Sequence, residues 1–239
     1  MKTALVTGGA HRIGKAICQT LHAHGFQVMI HYHQSQAAAQ SLADELNAQR
    51  SDSASIIQGD LSDVQALASL AGQIKHLDLL VNNASAFYPT PVSELSQDAY
   101  QLLMDTNLRA PLFLSTHLAD QLSQARGCIV NIVDIHSQRP LKDYPLYSIS
   151  KAALAMATKT LAKELAPSVR VCGVSPGSIL WPENAAELSD ANKQKMLDKI
   201  ALKKQGCAED IANTVLFLAE ADYITGEIIS VDGGRTLNQ

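Results

Sequence analysis

The stretch TALVTGGAHRIG (residues 3–14) decides the fold predicted for this chain. Its apolar half, TALVTG (3–8), is typical of a buried strand, and TGGAHRIG (7–14) is a glycine-rich turn into a helix that ends at Gly25. Glycines let the backbone approach a pyrophosphate closely, and the helix N-terminus supplies N–H groups and a positive dipole. Such a turn can be a plain connection, but its place in a βαβ unit favours dinucleotide binding. The predicted contacts in the turn are Gly8, Arg12, Ile13 and Gly14.

Arg12 stands where the usual spacing of such a turn has its middle glycine. One interpretation is an ordinary surface arginine. The other is a cation that lies beside the diphosphate and also reaches the substrate pocket. The sequence leaves both interpretations open.

The rest of the chain alternates short β-branched runs with longer helical patterns. This alternation predicts a parallel sheet, and right-handed crossovers make it doubly wound, with helices on both faces. Because there is no repeat, low-complexity tract or linker, residues 1–239 are predicted to form a single Rossmann-type α/β domain. The longest helical pattern runs from about Ser96 through Leu122 and should bend near Pro111. The other strand-like runs are 26–33, 53–61, 77–85, 127–134, 169–177 and 226–234, and the helix-like runs are 13–25, 37–49, 64–75 and 147–168.

Composition excludes several classes of protein. The 239 residues are 46% hydrophobic and 18% charged with a formal net charge of -4, so neither disorder nor a basic surface for nucleic acid is expected. No apolar run approaches the roughly 18 residues that a membrane-spanning helix needs. The four cysteines are far apart, which argues against a disulfide framework and a metal site and favours buried or neutral thiols in a reducing cytoplasm.

The end of the second strand bears on the choice between NADH and NADPH. An acidic residue there would bind a ribose 2′-hydroxyl, but the chain has HYHQS (31–35) and no carboxylate. A 2′-phosphate would be tolerated, with His33 and Ser35 as hydrogen-bond donors. We therefore expect NADPH, with contacts from His31, Tyr32, His33 and Ser35.

The third strand ends in GDL (59–61). Asp60 is placed to bind the adenine amino group of the cofactor, with Leu61 beside it. Capping of the following helix is a close alternative for Asp60.

Tyr147 and Lys151 are separated by four residues on one predicted helix, so both side chains face the same side. A phenol with a pKa near 10 is a slow acid–base catalyst at neutral pH, and a neighbouring ammonium should stabilise the phenolate and lower that pKa. Lys151 could also hydrogen-bond a nicotinamide ribose. Alone, this spacing is typical of an exposed helix face, but it follows TGGAHRIG and NNAS (82–85) in the same chain.

Together these motifs resemble the short-chain dehydrogenase/reductase family over nearly the full length. The resemblance includes GDL, NNAS, YSISK (147–151), SPG (175–177) and SVDGG (230–234). It implies that Asn107 holds a water in a proton relay with Lys151. It also implies cofactor contacts from Asn83, Ala84 and Ser85 after the fourth strand, and from Pro176, Gly177 and Ser178 near the nicotinamide.

Asp134 departs from the family, which usually has a serine at this distance before its tyrosine. A hydroxyl polarises the oxygen of an alcohol or ketone. A carboxyl close to Tyr147 suits a substrate whose ring nitrogens take up protons, because Asp134 could share a proton with the phenol. The alternative is that Asp134 only caps the strand end.

With aspartate in place of serine at position 134, the chain resembles a narrower group, the pteridine reductases. The resemblance extends to Arg12, HYHQS, NNASAFYPTP (82–91), PLYSISKAAL (145–154) and YITG (223–226). This resemblance implies that Phe87 stacks on the pterin, while Ser85 and Arg12 hydrogen-bond it; Phe87 as plain core is the alternative. Eukaryotic members have an arginine where Gln34 lies, so part of a 2′-phosphate clamp is missing here.

The function expected from the sequence is NADPH-dependent reduction of a dihydropterin, with dihydrofolate as a further candidate. The rivals are a keto reductase of the same family and a catalytically idle NADP-sensing protein. Residues 181–205 match a substrate lid, in which Trp181 lines the pocket or anchors the lid. Relatives are commonly tetramers paired through helices near 96–122 and 147–166, so a homotetramer is expected, without nucleic acid or membrane partners.

Overall fold

A computed structural model describes residues 1–180 and 190–238 of the protein. Its centre is one seven-stranded sheet in the order β3-β2-β1-β4-β5-β6-β7, and every neighbouring pair is parallel. The predicted doubly wound α/β fold is confirmed. The strands are β1 Thr3–Val6, β2 Gln27–Tyr32, β3 Ala54–Gln58, β4 Leu79–Asn82, β5 Cys128–Ile132, β6 Arg170–Pro176 and β7 Ile228–Val231.

The helices cover both faces of this sheet. Two apolar cores result: one lies under helices near the N- and C-terminal parts of the chain, and the other lies under helices from its middle. The first core includes Leu21, Leu42 and Ile211, and the second includes Leu70 and Leu161. The helices are α1 Arg12–Ala23, α2 Gln36–Gln49, α3 Val64–Gln73, α4 Gln97–Met104, α5 Ala110–His117, α6 Ala119–Ala125, α7 Pro145–Glu164, α8 Asp190–Asp198 and α9 Ala208–Glu220.

The strand order reverses between β1 and β4. Connections on either side of this point run in opposite directions, which leaves a crevice at the carboxyl ends of the strands where ligands bind in such sheets. The glycine-rich turn follows β1, and the NNAS segment begins at the end of β4. The fold therefore brings these two sequence motifs to the same crevice.

The helical pattern predicted over 96–122 is interrupted next to Pro111, as expected, but it forms three helices and not one bent helix. A π-turn at Asp105–Arg109 separates α4 from α5, and a second break follows at Leu118. The N–H of Ala110 donates to the carbonyl of Asp105, five residues back. Pro111 has no N–H and its ring excludes the carbonyl four residues earlier, so the backbone departs from the α-helix just before it.

A further difference concerns the C-terminal part of the chain. Helix α9 was not predicted, although its apolar residues at 211, 215 and 218 have helical spacing and are buried. Cys207, which precedes this helix, is exposed, whereas the other three cysteines are buried. Hydrogen bonding to Glu209 raises the pKa of the Cys207 thiol, which agrees with the prediction of buried or neutral thiols. Helix α8 lies within the predicted lid, whereas Trp181 lies outside the described residues. Among the helices of the described ranges, none has the length and apolar character needed to cross a membrane.

Candidate active site

The glycine-rich turn is packed too closely for side chains at its key glycines. Gly8 has a φ of +61°, in the region that favours glycine, and a Cβ on Gly14 would lie 2.2 Å from the carbonyl oxygen of Gly8. The side-chain amide of Asn83 donates to the carbonyls of Thr7 and Gly8, at 2.9 and 3.2 Å. Strand β4 therefore braces the turn from the side.

Thr7 is a second brace that the sequence did not suggest. Its hydroxyl oxygen accepts hydrogen bonds from the backbone N–H groups of Asn83 and Ala84, at 2.9 and 3.0 Å, and the hydroxyl donates to Val81 O at 3.3 Å. This buried hydroxyl fixes the start of the NNAS segment against the end of β1.

Arg12 has the left-handed backbone conformation that a glycine adopts easily at this position. Its φ is +50°, which explains why glycine is usual at this position. The residue is exposed and lines a cavity of about 700 Å³. His11 and Lys15 line the same cavity from the start of α1, and Glu209 lines it from α9.

The edge formed by β2 and β3 carries the groups predicted for the adenosine end. His33 Nε2 lies 3.6 Å from a carboxylate oxygen of Asp60, and both side chains are partly exposed. Hydrogen bonds from Ser62, with smaller contributions from the two nearby histidines, lower the pKa of Asp60. The capping alternative for Asp60 is wrong, because Asp63 caps α3 by accepting from the N–H groups of Gln65 and Ala66.

His31 is placed differently from its prediction as a cofactor contact. The ring is only 1% exposed; its Nδ1 accepts from Gly8 N at 3.2 Å and its Nε2 donates to Gly59 O at 3.1 Å. Burial lowers the pKa of His31 to about 4 despite the bond to Gly59, so the imidazole is neutral. Both ring nitrogens are used to join the glycine turn to the end of β3. Tyr32 is buried as well, whereas Ser35 stands as the N-cap position of α2.

Asp134 and Tyr147 meet directly. The phenolic O–H donates to Asp134 Oδ2 at 2.8 Å, while Oδ1 accepts from the backbone N–H of His136, also at 2.8 Å. The aspartate thus does both things that the sequence left as alternatives. It caps the short 3-10 turn Ile135–Ser137 and presents its second oxygen to the phenol.

Lys151 lies beneath this pair, fully buried on the next turn of α7. Its ammonium donates to Ile132 O at 3.0 Å and is 5.7 Å from the centre of the Tyr147 ring. Burial lowers the pKa of Lys151 to about 8, with Asp134 opposing this shift. The sequence predicted a lowered net pKa for Tyr147, and this prediction is wrong for this structure. Burial, together with the charge of Asp134, raises the pKa of Tyr147 well above its ordinary value, so the phenol stays protonated.

Asn107 occupies the middle of the π-turn and is completely buried. Its Oδ1 accepts from Ser85 Oγ and Ala86 N, at 3.0 and 2.8 Å, and its Nδ2 donates to Ala86 O and Ser150 Oγ, both at 3.0 Å. The side chain therefore joins the loop after β4 to α7. Its predicted part in a water relay with Lys151 stays a prediction.

An aromatic cluster forms one wall beside Tyr147. Phe87 stacks on Tyr144, with ring centroids 4.6 Å apart and planes 18° apart, and it meets Tyr147 edge-to-face at 4.7 Å. Phe87 remains 53% exposed, so it is not an ordinary core residue. Tyr144 was missed at the level of sequence, because nothing in its spacing distinguishes it from a helix-start residue.

The loop after β6 supplies the opposite side of the crevice. Gly177 N donates to Val231 O at 3.0 Å, and a Cβ on Gly177 would lie 2.7 Å from Asp232 Cα. Only glycine fits this approach between the β6 and β7 ends. Ser178 O accepts from Gly206 N at 3.1 Å, which holds the start of the loop.

Comparison with known proteins agrees with this architecture. The profile of a family described as enoyl-(acyl carrier protein) reductase matches residues 8–236. Pteridine reductase 1 of Leishmania tarentolae is 37% identical over 283 aligned positions, covering 99% of this chain and 96% of that protein. L-xylulose reductase of Bos taurus is 36% identical, covering 98% of this chain and 96% of that protein. The 3-oxoacyl-(acyl-carrier-protein) reductase FabG of Staphylococcus epidermidis is 34% identical, with 98% of both chains covered.

The chain belongs to the short-chain dehydrogenase/reductase family. Members of this family are oxidoreductases that use a nicotinamide nucleotide, NADH or NADPH. The crevice of this short-chain dehydrogenase/reductase fits such a cofactor. Its glycine turn leaves no room for Cβ atoms and leads directly into the N-terminus of α1, whose N–H groups and dipole suit a diphosphate.

In this short-chain dehydrogenase/reductase, the predicted site residues fall into three groups. One group lies at the carboxyl ends of strands or in the segments that follow them: Gly8, Arg12, Ile13, Gly14, His33, Ser35, Asp60, Leu61, Asn83, Ala84, Ser85, Pro176, Gly177 and Ser178. The second is the hydrogen-bonded set around Asp134, Tyr147 and Lys151, with Asn107 and Phe87 beside it. The third, His31 and Tyr32, is buried behind the turn.

Proposed function

We propose that the protein is an NADPH-dependent pteridine reductase that converts dihydropterins, and dihydrofolate as a candidate, to their tetrahydro forms. The observation that carries this proposal is the 2.8 Å hydrogen bond between Tyr147 Oη and Asp134 Oδ2. A carboxylate at this place gives the site a second proton carrier next to the phenol. The full-length similarity to a pteridine reductase supports the same substrate class.

The reduction adds a hydride to a ring carbon and a proton to the adjacent ring nitrogen of a C=N bond. NADPH, when bound, supplies the hydride. Tyr147 remains protonated because its pKa is raised, so it holds a proton at Oη for the nitrogen. Asp134 shares that proton through Oδ2, and Lys151 places a positive charge under the phenol to stabilise the phenolate formed by the transfer.

The wall of the site suits a flat heteroaromatic substrate. Phe87 is half-exposed and is held edge-on to Tyr147 by its stack with Tyr144. A bicyclic ring next to Phe87 would gain offset-stacking energy of about 0.5–1.5 kcal/mol beyond burial. An aliphatic thioester or sugar would gain much less from this wall. Ser85, exposed at the rim, would hydrogen-bond the heterocycle, and Arg12 would reach it from the glycine turn.

The sequence at the end of β2, which has no carboxylate, favours NADPH over NADH. The residues after this strand are His33, Gln34 and Ser35, so no carboxylate repels a 2′-phosphate from β2 itself. His33 is half-exposed and its ring faces this edge near Asp60. Tighter binding of NADH than of NADPH in a fluorescence titration would exclude this part of the proposal. We also propose that the protein acts in the cytoplasm, because its cysteines are free thiols and thiols stay reduced there.

A single panel of NADPH-consumption assays tests the substrate. Dihydrobiopterin, dihydromonapterin, dihydrofolate, acetoacetyl thioester and xylulose are compared with the same enzyme preparation. Reduction of at least one dihydropterin with the highest kcat/KM is expected. The relatives named as 3-oxoacyl and L-xylulose reductases, at 34% and 36% identity, make a keto reductase the rival, and a preference for either carbonyl compound would replace the pterin proposal.

Two variants refine the result. Tyr147→Phe should lose roughly 100-fold or more in kcat while NADPH still binds, because the proton donor is removed. Asp134→Ser, which restores the residue usual for the family, should reduce pterin turnover and leave the fold intact. Pterin turnover that is unchanged in Asp134→Ser would show that the carboxylate is not required. Absence of turnover with every compound would favour the idle NADP-sensing alternative.

A further inference from the structure

A small turn orients the carboxylate of Asp134, and residues outside this turn hold the turn in place. Residues 135–137 form a 3-10 turn whose first N–H groups depend on Asp134, since Asp134 O accepts from Ser137 N at 3.0 Å and Oδ1 accepts from His136 N. The turn is closed by Arg139, whose backbone carbonyl is 3.1 Å from His136 Nδ1. Any shift of Arg139 would therefore pass to the backbone that orients the Asp134 carboxylate.

The side chain of Arg139 does not point along its own loop. Its Nη1 donates to the carbonyl oxygens of Arg235 and Asn238, both at 2.9 Å. These two residues lie nearly a hundred positions further along the chain, in the C-terminal turn (residues 232–238). A guanidinium that bridges two carbonyls fixes both its own loop and the turn that it grips.

The C-terminal turn is a firmly built acceptor for that arginine. Asp232 Oδ1 accepts from Gly234 N at 2.8 Å, and Oδ2 accepts from Thr236 N and Oγ1 at 2.8 and 2.7 Å. Burial raises the pKa of Asp232, but the hydrogen bonds from Thr236 and Gly234 outweigh this effect and lower the pKa below its usual value. The carboxylate is thus charged, and its hydrogen bonds fix the backbone of the turn that carries the carbonyls of Arg235 and Asn238.

The other side of the C-terminal turn lies against the end of the predicted lid. Leu202 N donates to Gly233 O at 3.0 Å, and Asn238 Nδ2 donates to Lys199 O at 3.1 Å. A Cβ on Gly234 would lie 2.7 Å from Ala201 Cβ, so the two backbones approach closely. The turn consequently touches residues 199–202 on one side and Arg139 on the other.

We propose that Arg139 is a positioning residue for Asp134, and that through it the C-terminal turn couples residues 199–202 of the lid segment to the proton-transfer pair. The proposal rests on the proposed role of Asp134 in proton transfer. Arg139 does not touch the reacting atoms in this scheme. It keeps the carboxylate of Asp134 at hydrogen-bond distance from Tyr147.

The test compares Arg139→Met, which removes both hydrogen bonds at similar length, with Arg139→Lys, whose ammonium can reach one carbonyl. Lys142→Met, at an exposed position on the same loop, is the matched control. Arg139→Met should lower kcat for the dihydropterin roughly 10-fold, because a small misplacement of a catalytic group is costly. The KM for the pterin and the Kd for NADPH should change less than about 2-fold. Arg139→Lys should recover most of kcat, and Lys142→Met should equal the wild type.

A truncated chain that ends at Gly234 tests the coupling. It lacks both carbonyls that Arg139 grips, so it should show the same loss of kcat, and Arg139→Met should cause no additional loss in that background. Losses that add in the double variant would overturn the proposal. The proposal would also fail if Arg139→Met weakened NADPH binding by the same factor as kcat and Arg139→Lys recovered neither. That result would indicate a merely structural role.

A spectroscopic readout separates this proposal from the proposed function. With ¹³C-labelled tyrosine, the Cζ resonance of Tyr147 is assigned by its loss in Tyr147→Phe. It should move in Arg139→Met and in the truncated chain, since the hydrogen bond to Asp134 is loosened, and stay in place in Lys142→Met. If the resonance moves but no pterin is reduced by the wild type, the substrate proposal fails and the positioning role stands. If pterins are reduced and neither kcat nor the resonance changes in Arg139→Met, the positioning role fails alone.

Discussion

At the scale of single residues, the site depends on how burial sets protonation. Tyr147 and Lys151 are both almost completely buried, so each is driven toward its neutral form. For Tyr147 the neutral form is the protonated phenol, which is the proton donor that a reduction needs. The sequence predicted the pair but assigned the dominant effect to the ammonium, because burial at this position cannot be read from the spacing alone.

The pH dependence of turnover should report Lys151. Its pKa of about 8 means that the ammonium is charged at neutral pH and loses its proton as the pH rises through about 8. Since the neutral amine no longer stabilises the phenolate, kcat should fall above this pH. Steady-state rates measured at intervals of about one pH unit, from about pH 6 to about pH 10, would show the decline. Arg at this position keeps its charge, so Lys151→Arg should be slower but should not show the decline; an unchanged profile would contradict the assignment.

Phe87 should act on the substrate more than on the cofactor. Phe87→Ala removes the stacking surface, and a loss of about 0.5–1.5 kcal/mol corresponds to roughly a 2- to 10-fold rise in KM for the dihydropterin. The KM for NADPH should change little. Phe87→Tyr, which keeps the aromatic face, is the matched control. Equal changes in both KM values would count against stacking on the pterin.

At the scale of elements, strands and turns hold each other through buried polar side chains. His31, on β2, bonds the glycine turn through Nδ1 and the end of β3 through Nε2. Asn107, in the π-turn before α5, joins the loop after β4 to α7. The sequence predicted both residues as parts of the site. It could not show that their polar atoms are already used for assembly, because these partners are distant along the chain.

Acid should destabilise the protein through His31. The pKa of His31 is about 4 in the folded protein, below its ordinary value of 6.5, so the unfolded chain binds a proton first as the pH falls. Stability from this residue is complete above pH 6.5 and is lost as the pH falls from about 6.5 to about 4, by up to about 3 kcal/mol. Urea denaturation across this range would measure the loss. His31→Gln should be less stable at neutral pH but show a flatter dependence; a slope equal to that of the wild type would assign the effect to other groups.

At the scale of the whole molecule, the fold leaves an apolar surface on two neighbouring parts of the chain. Ile149 and Met156 are 54% and 63% exposed and lie seven residues apart on one face of α7. Leu102 of α4 and Phe113 of α5 are each 46% exposed. A surface of this kind on helices favours contact with a second copy. We propose that the protein is a homotetramer paired in part through these helices.

Sedimentation equilibrium should therefore give a mass near four times the chain mass of 25.6 kDa. The double change Ile149→Lys and Met156→Glu buries charges in the proposed contact, so it should shift the protein to smaller species. Val64→Lys, at a 56% exposed site at the start of α3, is the control and should leave the mass unchanged. A wild-type protein that sediments as a monomer at micromolar concentration would exclude the tetramer.

The sequence by itself determined the parallel doubly wound sheet, the glycine turn and the Tyr147–Lys151 pair. These features follow from local periodicity, from backbone freedom at glycine and from the spacing of a single helix. The tertiary structure decided that the phenol bonds Asp134, that His31 is a buried brace, and that Arg139 grips the C-terminal turn. Each depends on which distant segments pack together and exclude water, and burial, not residue type, then fixes protonation and hydrogen-bond partners.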